Sequence, residues 1–219
     1  MTSSLDLDGL LRARGEFACD AKAVPWQRLA AVVLLAGALF GLQIGAYGGA
    51  VLQMCLSAVK IPLLIGVSTL LCLPGVFAVN TVAGLRDDFG AVLRGIFAAQ
   101  ATVAVSLCAL GPLLLFLYAS SADYRLAKAA SGFLFLLASL AGQRTLSMHF
   151  GPLVRANPRH RGTRRVWWFL YILVTIQMAW VLRPFIGSPG LGLTIFRDEA
   201  WGNAYVHVIR LLVDLLGAR

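Results

Sequence analysis

Charged residues are scarce in this chain of 219 residues. Asp, Glu, Lys and Arg together make up 13% of it, roughly half of the ~25% that is usual in a soluble domain. Hydrophobic residues make up 59%, and the mean hydropathy is +0.79. A soluble fold of this size cannot bury that much apolar surface, so the composition predicts a polytopic membrane protein.

The apolar segments lack the ionisable groups that carry chemistry across a membrane. No Asp, Glu or Lys falls at the middle of an apolar segment, whereas proton pathways and ion pumps normally depend on such groups. The sequence also contains no HExxH, GxSxG or P-loop motif, which are the patterns of well-known enzyme classes. These absences predict a protein that is neither an enzyme nor a proton-coupled transporter, and they leave a passive pore or a lipid pathway open.

Residue types that ligate metals are few and are not placed at ligand spacing. The cysteines and histidines are Cys19, Cys55, Cys72, Cys108, His149, His160 and His207. They form no CxxC motif and no histidine pair four residues apart. Asp87 and Asp88 are adjacent and do not share a helix face. We therefore predict no metal and no cofactor, with the cysteines as small apolar residues and the histidines as interfacial ones.

Five apolar segments are each close to the roughly 20 residues that cross a bilayer. They cover residues 29–50, 61–82, 95–118, 129–148 and 166–186. Pro74 and Pro112 lie inside the second and third segments, where proline is expected to kink a helix. The chain is therefore predicted to be all-α, with about five transmembrane helices.

Residues 200–216 are apolar on one side only. Asn203, His207, Arg210 and Asp214 recur at helical spacing, which is typical of an amphipathic helix along a membrane surface or a partner. We predict three segments: a cytoplasmic N-terminal segment (1–27), a five-helix transmembrane domain (28–187), and an extracytoplasmic turn with an amphipathic C-terminal helix (188–219).

Loop charge predicts the orientation. With the N-terminus in the cytoplasm, twelve Lys and Arg residues fall in inside segments and seven in outside segments, as the positive-inside rule requires. Five arginines occur within residues 155–165 and strongly resist translocation. We predict a plasma (inner) membrane protein whose N-terminus is cytoplasmic and whose C-terminus is outside.

Four glycines recur at every fourth position of the first apolar segment: Gly37, Gly41, Gly45 and Gly49. Residues four apart share one helix face, and overlapping GxxxG patterns let another helix backbone approach closely. We predict a helix-packing face here, whose partner is either another span of this chain or another chain. Four amides in the spans are predicted to hydrogen-bond between helices: Gln43, Asn80, Gln100 and Gln177.

The arginine loop comprises Arg155, Arg159, Arg161, Arg164 and Arg165. It is predicted to contact anionic lipid headgroups or an acidic protein on the cytoplasmic side, or to act as a topology determinant alone. The net charge of +9 comes mainly from arginine, with 16 arginines and 3 lysines. The arginines are not interleaved with exposed aromatics, which argues against nucleic acid as a partner.

The middle of the chain, residues 57–120, resembles the Yip1-type integral membrane proteins. The likeness lies in the proline-marked second span, the turn Gly84-Leu85-Arg86-Asp87-Asp88-Phe89 and the third span. It implies five spans with the N-terminus inside and the C-terminus outside, and a membrane adaptor in preference to an enzyme. The family's N-terminal acidic and glycine-tyrosine elements are not evident in this chain.

These observations favour a non-enzymatic integral subunit or scaffold of a larger membrane protein complex, associating through the glycine face as a homo- or hetero-oligomer. The alternative is a passive channel, a small-solute transporter or a lipid pathway, with the second and third spans bent around a polar lining. An enzyme working through loop residues ranks last, because no acid–base pair presents itself.

Overall fold

The computed structural model describes residues 7–14, 17–18, 26–187 and 206 of the chain. Every regular element in this part is helical. The helices are α1 (Leu7–Arg12), α2 (Trp26–Gly45), α3 (Val51–Val82), α4 (Phe89–Ser120), α5 (Tyr124–Ala156) and α6 (His160–Leu182). The predicted C-terminal amphipathic helix lies outside the described residues, apart from Val206.

Helices α2 to α6 are long and apolar enough to cross a bilayer. A helix satisfies its own backbone hydrogen bonds, which is necessary where no water is present. The chain is therefore an all-α polytopic membrane protein. Pro74 and Pro112 lie inside α3 and α4, and each helix continues through its proline.

Two helices extend well beyond the apolar segments seen in the sequence. α3 begins at Val51, ten residues before the predicted start at residue 61, and its first turns bury Gln53, Ser57 and Lys60. These polar residues lower the local hydropathy, so the apolar pattern of the sequence does not show that the helix begins at Val51. α5 begins at Tyr124, and Asp123 is its N-cap. The Oδ1 of Asp123 accepts hydrogen bonds from the backbone N–H groups of Arg125 and Leu126 at 2.7 and 3.4 Å.

The five long helices form an open ring. α5 packs along α4, α4 along α2, α2 along α3, and α3 along α6. The ring is left nearly open between α5 and α6, which touch each other only sparsely. Buried apolar side chains fill the ring, including Phe40, Ile61 and Leu107 in one cluster and Trp167 with Phe150 in another.

The N-terminal segment packs onto the helices. Leu10 of α1 and Phe17 are 0% and 3% exposed. They share a buried cluster with Leu29 and Val32 of α2 and Ala98 of α4. These two side chains attach the described part of the N-terminal segment, residues 7–14 and 17–18, to the bundle.

The glycine face packs against a neighbouring helix of the same chain. Gly37, Gly41 and Gly45 are buried on α2. A Cβ built on Gly41 would meet the backbone carbonyl oxygen of Ser57 in α3, and one on Gly45 would lie 2.7 Å from the Cα of Met54. The absent side chains therefore allow α2 and α3 to approach backbone to backbone.

Gly49 does not belong to this face, and the prediction that it does is wrong. α2 ends at Gly45. Gly48 and Gly49 have φ angles of +79° and +73°, a left-handed conformation that glycine adopts at little cost. A Cβ on Gly49 would meet no atom of the described residues within 4 Å. This glycine reverses the chain between α2 and α3.

Candidate functional site: a lateral cleft between α5 and α6

The connection between α5 and α6 is a tight turn. Asn157 is the C-cap of α5 and Arg159 is the N-cap of α6. Away from this turn the two helices separate and leave two adjoining hollows. The narrow chamber, nearer the turn, has a volume of about 310 Å³, and the wide chamber, further away, has about 590 Å³.

The two chambers form one cleft. Four residues line both of them: Leu136 and Ser139 of α5, and Thr175 and Ile176 of α6. Each volume lies within the roughly 300–1,000 Å³ range of small-molecule sites. From Lys128 in the wide chamber to Gln143 in the narrow one, α5 rises about 22 Å, which exceeds the ~15 Å hydrocarbon depth of one leaflet.

The cleft opens sideways. Leu136, Leu140, Trp168 and Ile176 line it and are 55%, 59%, 50% and 40% exposed. These exposed apolar side chains belong to the perimeter of the helix ring, which faces hydrocarbon in a membrane protein. A molecule in the surrounding bilayer therefore reaches the cleft without passing through water.

Polar groups lie at the back of the narrow chamber. Tyr171 of α6 donates a hydrogen bond from its hydroxyl to Oε1 of Gln100 in α4, at 2.8 Å. Trp167 stacks on Tyr171 with ring centroids 5.1 Å apart. These contacts link α6 to α4 at the back of the narrow chamber.

Two cations line the wide chamber. The Nζ of Lys128 lies 4.7 Å from the centroid of the Tyr124 ring, and the guanidinium of Arg183 lies 3.2 Å from the centroid of the Trp180 ring. Both are cation–π contacts. Among the described residues that line the two chambers, these are the charged ones.

The end of the wide chamber is built from the segment after α6. Pro184 and Phe185 line the chamber, and their carbonyl oxygens accept hydrogen bonds from α3. Gln53 donates to both carbonyls at 3.3 and 3.1 Å, Ser57 donates to Phe185 at 2.6 Å, and Lys60 donates to Pro184 at 3.0 Å.

Sequence reasoning missed these three residues as a group. Gln53, Ser57 and Lys60 are 1%, 0% and 4% exposed. Their spacing of four and then three residues is the signal of one helix face. The predicted helix start at residue 61 places all three residues outside the helix.

A second set of contacts, the loop network, joins the α3–α4 turn to the start of α6. Asn80 is fully buried; its Nδ2 donates to the Leu85 carbonyl at 2.7 Å, and its Oδ1 accepts from the Thr163 hydroxyl at 3.2 Å. Nη1 of Arg159 donates to the Ala83 carbonyl at 3.3 Å. His160 completes the network by its contact with Asp88.

The histidines differ from their prediction as interfacial residues. His160 is fully buried, and its Nε2 lies 3.0 Å from Oδ2 of Asp88. His149 is 4% exposed and packs against Gly95. Asp88 occupies the N-cap position of α4, but its side chain makes no capping hydrogen bond. His207 lies outside the described residues.

The other predicted amides occupy different surroundings. Gln43 of α2 packs directly against Gly111 of α4, and its Oε1 has no hydrogen-bond partner within the described part of the chain. Gln177 is half-buried on α6. Asn80 and Gln100, by contrast, each accept a hydrogen bond from α6.

The arginine loop is helical over most of its length. Arg155 ends α5, Arg159 caps α6, and Arg161, Arg164 and Arg165 lie on the first turns of α6. Arg164 is half-buried and the other four are exposed. All five therefore lie at the same end of the bundle as the loop network, opposite the wide chamber.

Among residues 7–14, 17–18, 26–187 and 206, the structure brings together no three His, Cys, Asp or Glu residues that could hold a metal ion. Cys55 is exposed, Cys72 is buried and Cys108 is half-buried, each as a free thiol. Cys19 lies outside the described residues.

No known protein family, curated protein or solved structure matches this chain. Fold and site together define it as a helical membrane protein with a lateral cleft between α5 and α6.

Proposed function

We propose that the chain is a non-enzymatic integral membrane protein that binds a bilayer lipid in the cleft between α5 and α6. This is the lipid pathway among the functions that the sequence left open. The observation that supports it is the sideways opening of the cleft between exposed apolar side chains of α5 and α6. A lipid enters such a site sideways, from the membrane itself.

The glycine face supports this choice over association through α2. Gly41 and Gly45 are in close contact with α3, so a second chain cannot use the same face while the bundle is intact. Asn80 is engaged in hydrogen bonds to Leu85 and Thr163, and its carboxamide is therefore not a lining group for a pore between α3 and α4.

We expect a lipid to remain in the cleft when surrounding lipids are exchanged for detergent. A photo-crosslinking amino acid at position 136, which lines both chambers, should form lipid adducts on irradiation after detergent exchange. The same amino acid at position 133 provides the control. Phe133 is 57% exposed on the same helix and is not among the described lining residues, so it should lose its lipid contacts on exchange. Mass spectrometry of the irradiated protein measures both.

Filling the cleft should prevent this retention. Ser139→Trp places a large ring where the two chambers join, and we expect at least about tenfold less adduct, the change that about 1.4 kcal/mol produces. Ser147→Trp, at an exposed position of α5 away from the cleft, should leave the yield unchanged. Adducts to residues 188–219 or to another chain in place of lipid would overturn the proposal, as would an unchanged yield in Ser139→Trp.

A second candidate is a role as a subunit of a larger membrane complex. The observation that favours it is the group of four exposed arginines at one end of the bundle, Arg155, Arg159, Arg161 and Arg165. Cations held close together attract an acidic protein surface or anionic headgroups. On the predicted orientation, with the N-terminus inside, this end is cytoplasmic. The likeness to Yip1-type adaptors remains a prediction that points to the same role.

For this second candidate, mild-detergent extraction should yield a species of larger mass than one chain. The triple variant Arg155→Gln, Arg161→Gln, Arg165→Gln should reduce the amount of copurifying partner severalfold, because it removes three of the positive charges that attract an acidic surface. Arg125→Gln, at the opposite end of the bundle, is the control. A monodisperse monomer from wild-type membranes would contradict the subunit role.

A further inference from the structure

We infer that the cleft selects a lipid with an anionic headgroup, which Lys128 and Arg183 hold at the wide end while an acyl chain extends toward the narrow chamber. This inference rests on the proposed lipid-binding function and specifies the class of lipid. It concerns the end of the bundle opposite the arginine loop, where the sequence predicted no binding site.

The charge of the lining supports an anionic headgroup. Lys128 and Arg183 line the wide chamber, and no acidic residue is among the described residues that line either chamber. Each cation lies against an aromatic ring, Tyr124 or Trp180. For Lys128, the ring orients the cation without cancelling its charge, because the ring has no net charge.

The position of these cations matches that of a headgroup. Lys128 lies one turn inside the start of α5 at Tyr124, and Arg183 directly follows the end of α6 at Leu182. Helix ends and the aromatic residues beside them are where a membrane helix meets the headgroup layer. The cations therefore face lipid phosphates, and not hydrocarbon.

The remainder of the cleft suits an acyl chain. Phe135, Leu136, Ile176 and Ala179 continue from the wide chamber toward the narrow one. The narrow chamber has about half the volume of the wide one, 310 against 590 Å³. A headgroup with its first chain segments fits the wide chamber, and the slimmer end of a chain fits the narrow one.

The end of the wide chamber is fixed before a lipid arrives. Gln53, Ser57 and Lys60 hold the Pro184 and Phe185 carbonyls by hydrogen bonds to α3. Arg183 is adjacent to this fixed segment, so its backbone position is set independently of any ligand. Pre-organisation of this kind reduces the ordering cost of binding.

The test uses the full chain with the photo-crosslinking amino acid at position 136, in vesicles of phosphatidylcholine containing a minor fraction of phosphatidylglycerol with the same acyl chains. After detergent exchange and irradiation, mass spectrometry gives the ratio of the two lipid adducts relative to their ratio in the vesicle. We expect phosphatidylglycerol to be enriched. Lys128→Gln should lower the enrichment about fivefold, and the Lys128→Gln, Arg183→Gln double variant should remove it.

Arg125→Gln is the matched control. Arg125 is an exposed cation three residues from Lys128 on the same helix, and it is not among the described residues that line the cleft. General attraction of phosphatidylglycerol to a basic surface would make Arg125→Gln as damaging as Lys128→Gln, and this result would overturn the inference. Lipid adducts of the wild-type cleft in the same ratio as the two lipids in the vesicle would also overturn it while leaving lipid binding intact. Absence of any lipid adduct would instead contradict the proposed function.

Discussion

Gly41→Leu is expected to lower the free energy of unfolding of the bundle strongly. A Cβ at position 41 meets the backbone of Ser57 in α3, and a backbone cannot move aside as a flexible side chain does. Overpacking of a closely packed contact costs about 1–3 kcal/mol and occasionally more. We expect about 3 kcal/mol here, or a decrease in melting temperature of roughly 6–12 °C, measured by thermal denaturation in detergent.

Gly66→Leu is the matched control for this change. Gly66 lies inside α3, and a Cβ there would have no neighbour within 4 Å in the part of the chain that the structure describes. The same glycine-to-leucine change should therefore have little effect on the melting temperature. Equal melting temperatures for the two variants would show that α2 and α3 are not in backbone contact. A smaller oligomer without loss of stability in Gly41→Leu would mean that the glycine face binds another chain.

Asn80→Leu is expected to open the cytoplasmic end of the bundle, on the predicted orientation. The substitution removes the donor to the Leu85 carbonyl and the acceptor for the Thr163 hydroxyl. The carbonyl and the hydroxyl then lose these partners next to position 80, which is fully buried. Loss of a partner costs a buried polar group about 1–3 kcal/mol. The α3–α4 turn should then separate from α6, exposing the backbone at Arg86 to trypsin. The measurement is the rate of cleavage after Arg86, together with the melting temperature.

Two further variants show whether the lost hydrogen bonds of Asn80 cause this result. Thr163→Val keeps the side-chain shape and removes only one of the two hydrogen bonds, so its effect should be smaller. Thr81→Val is the control, because the Thr81 hydroxyl donates to the Phe77 carbonyl of its own helix. Unchanged cleavage in Asn80→Leu would contradict the role assigned to the loop network.

The loop network also bears on the cleft. Asp88, Arg159 and His160 hold the turn where α5 and α6 meet. Two helices fixed at one end and apart at the other enclose a space that widens away from the turn, as the two chambers do. The network thus helps to set the width of the site, although none of its residues lines it.

The sequence by itself determined the all-α type of the fold and the number of helices long enough to cross a bilayer. Hydrophobicity is a property of each residue, so a run long enough to cross a bilayer can be recognised without knowing its neighbours. The first and last residues of the helices were predicted less accurately. α3 begins at Val51 because Gln53, Ser57 and Lys60 are buried against the Pro184–Phe185 segment, a contact with residues more than 120 positions away in the chain.

The tertiary structure alone decided which surfaces meet and which remain apart. The glycine spacing predicted a packing face, but only the fold identified α3 as its partner and excluded Gly49. The cleft was not predictable, because it arises from the order of helices in the ring, which leaves α5 and α6 with few mutual contacts. An empty space between two helices depends on the positions of all the others, and no local pattern of residues encodes it.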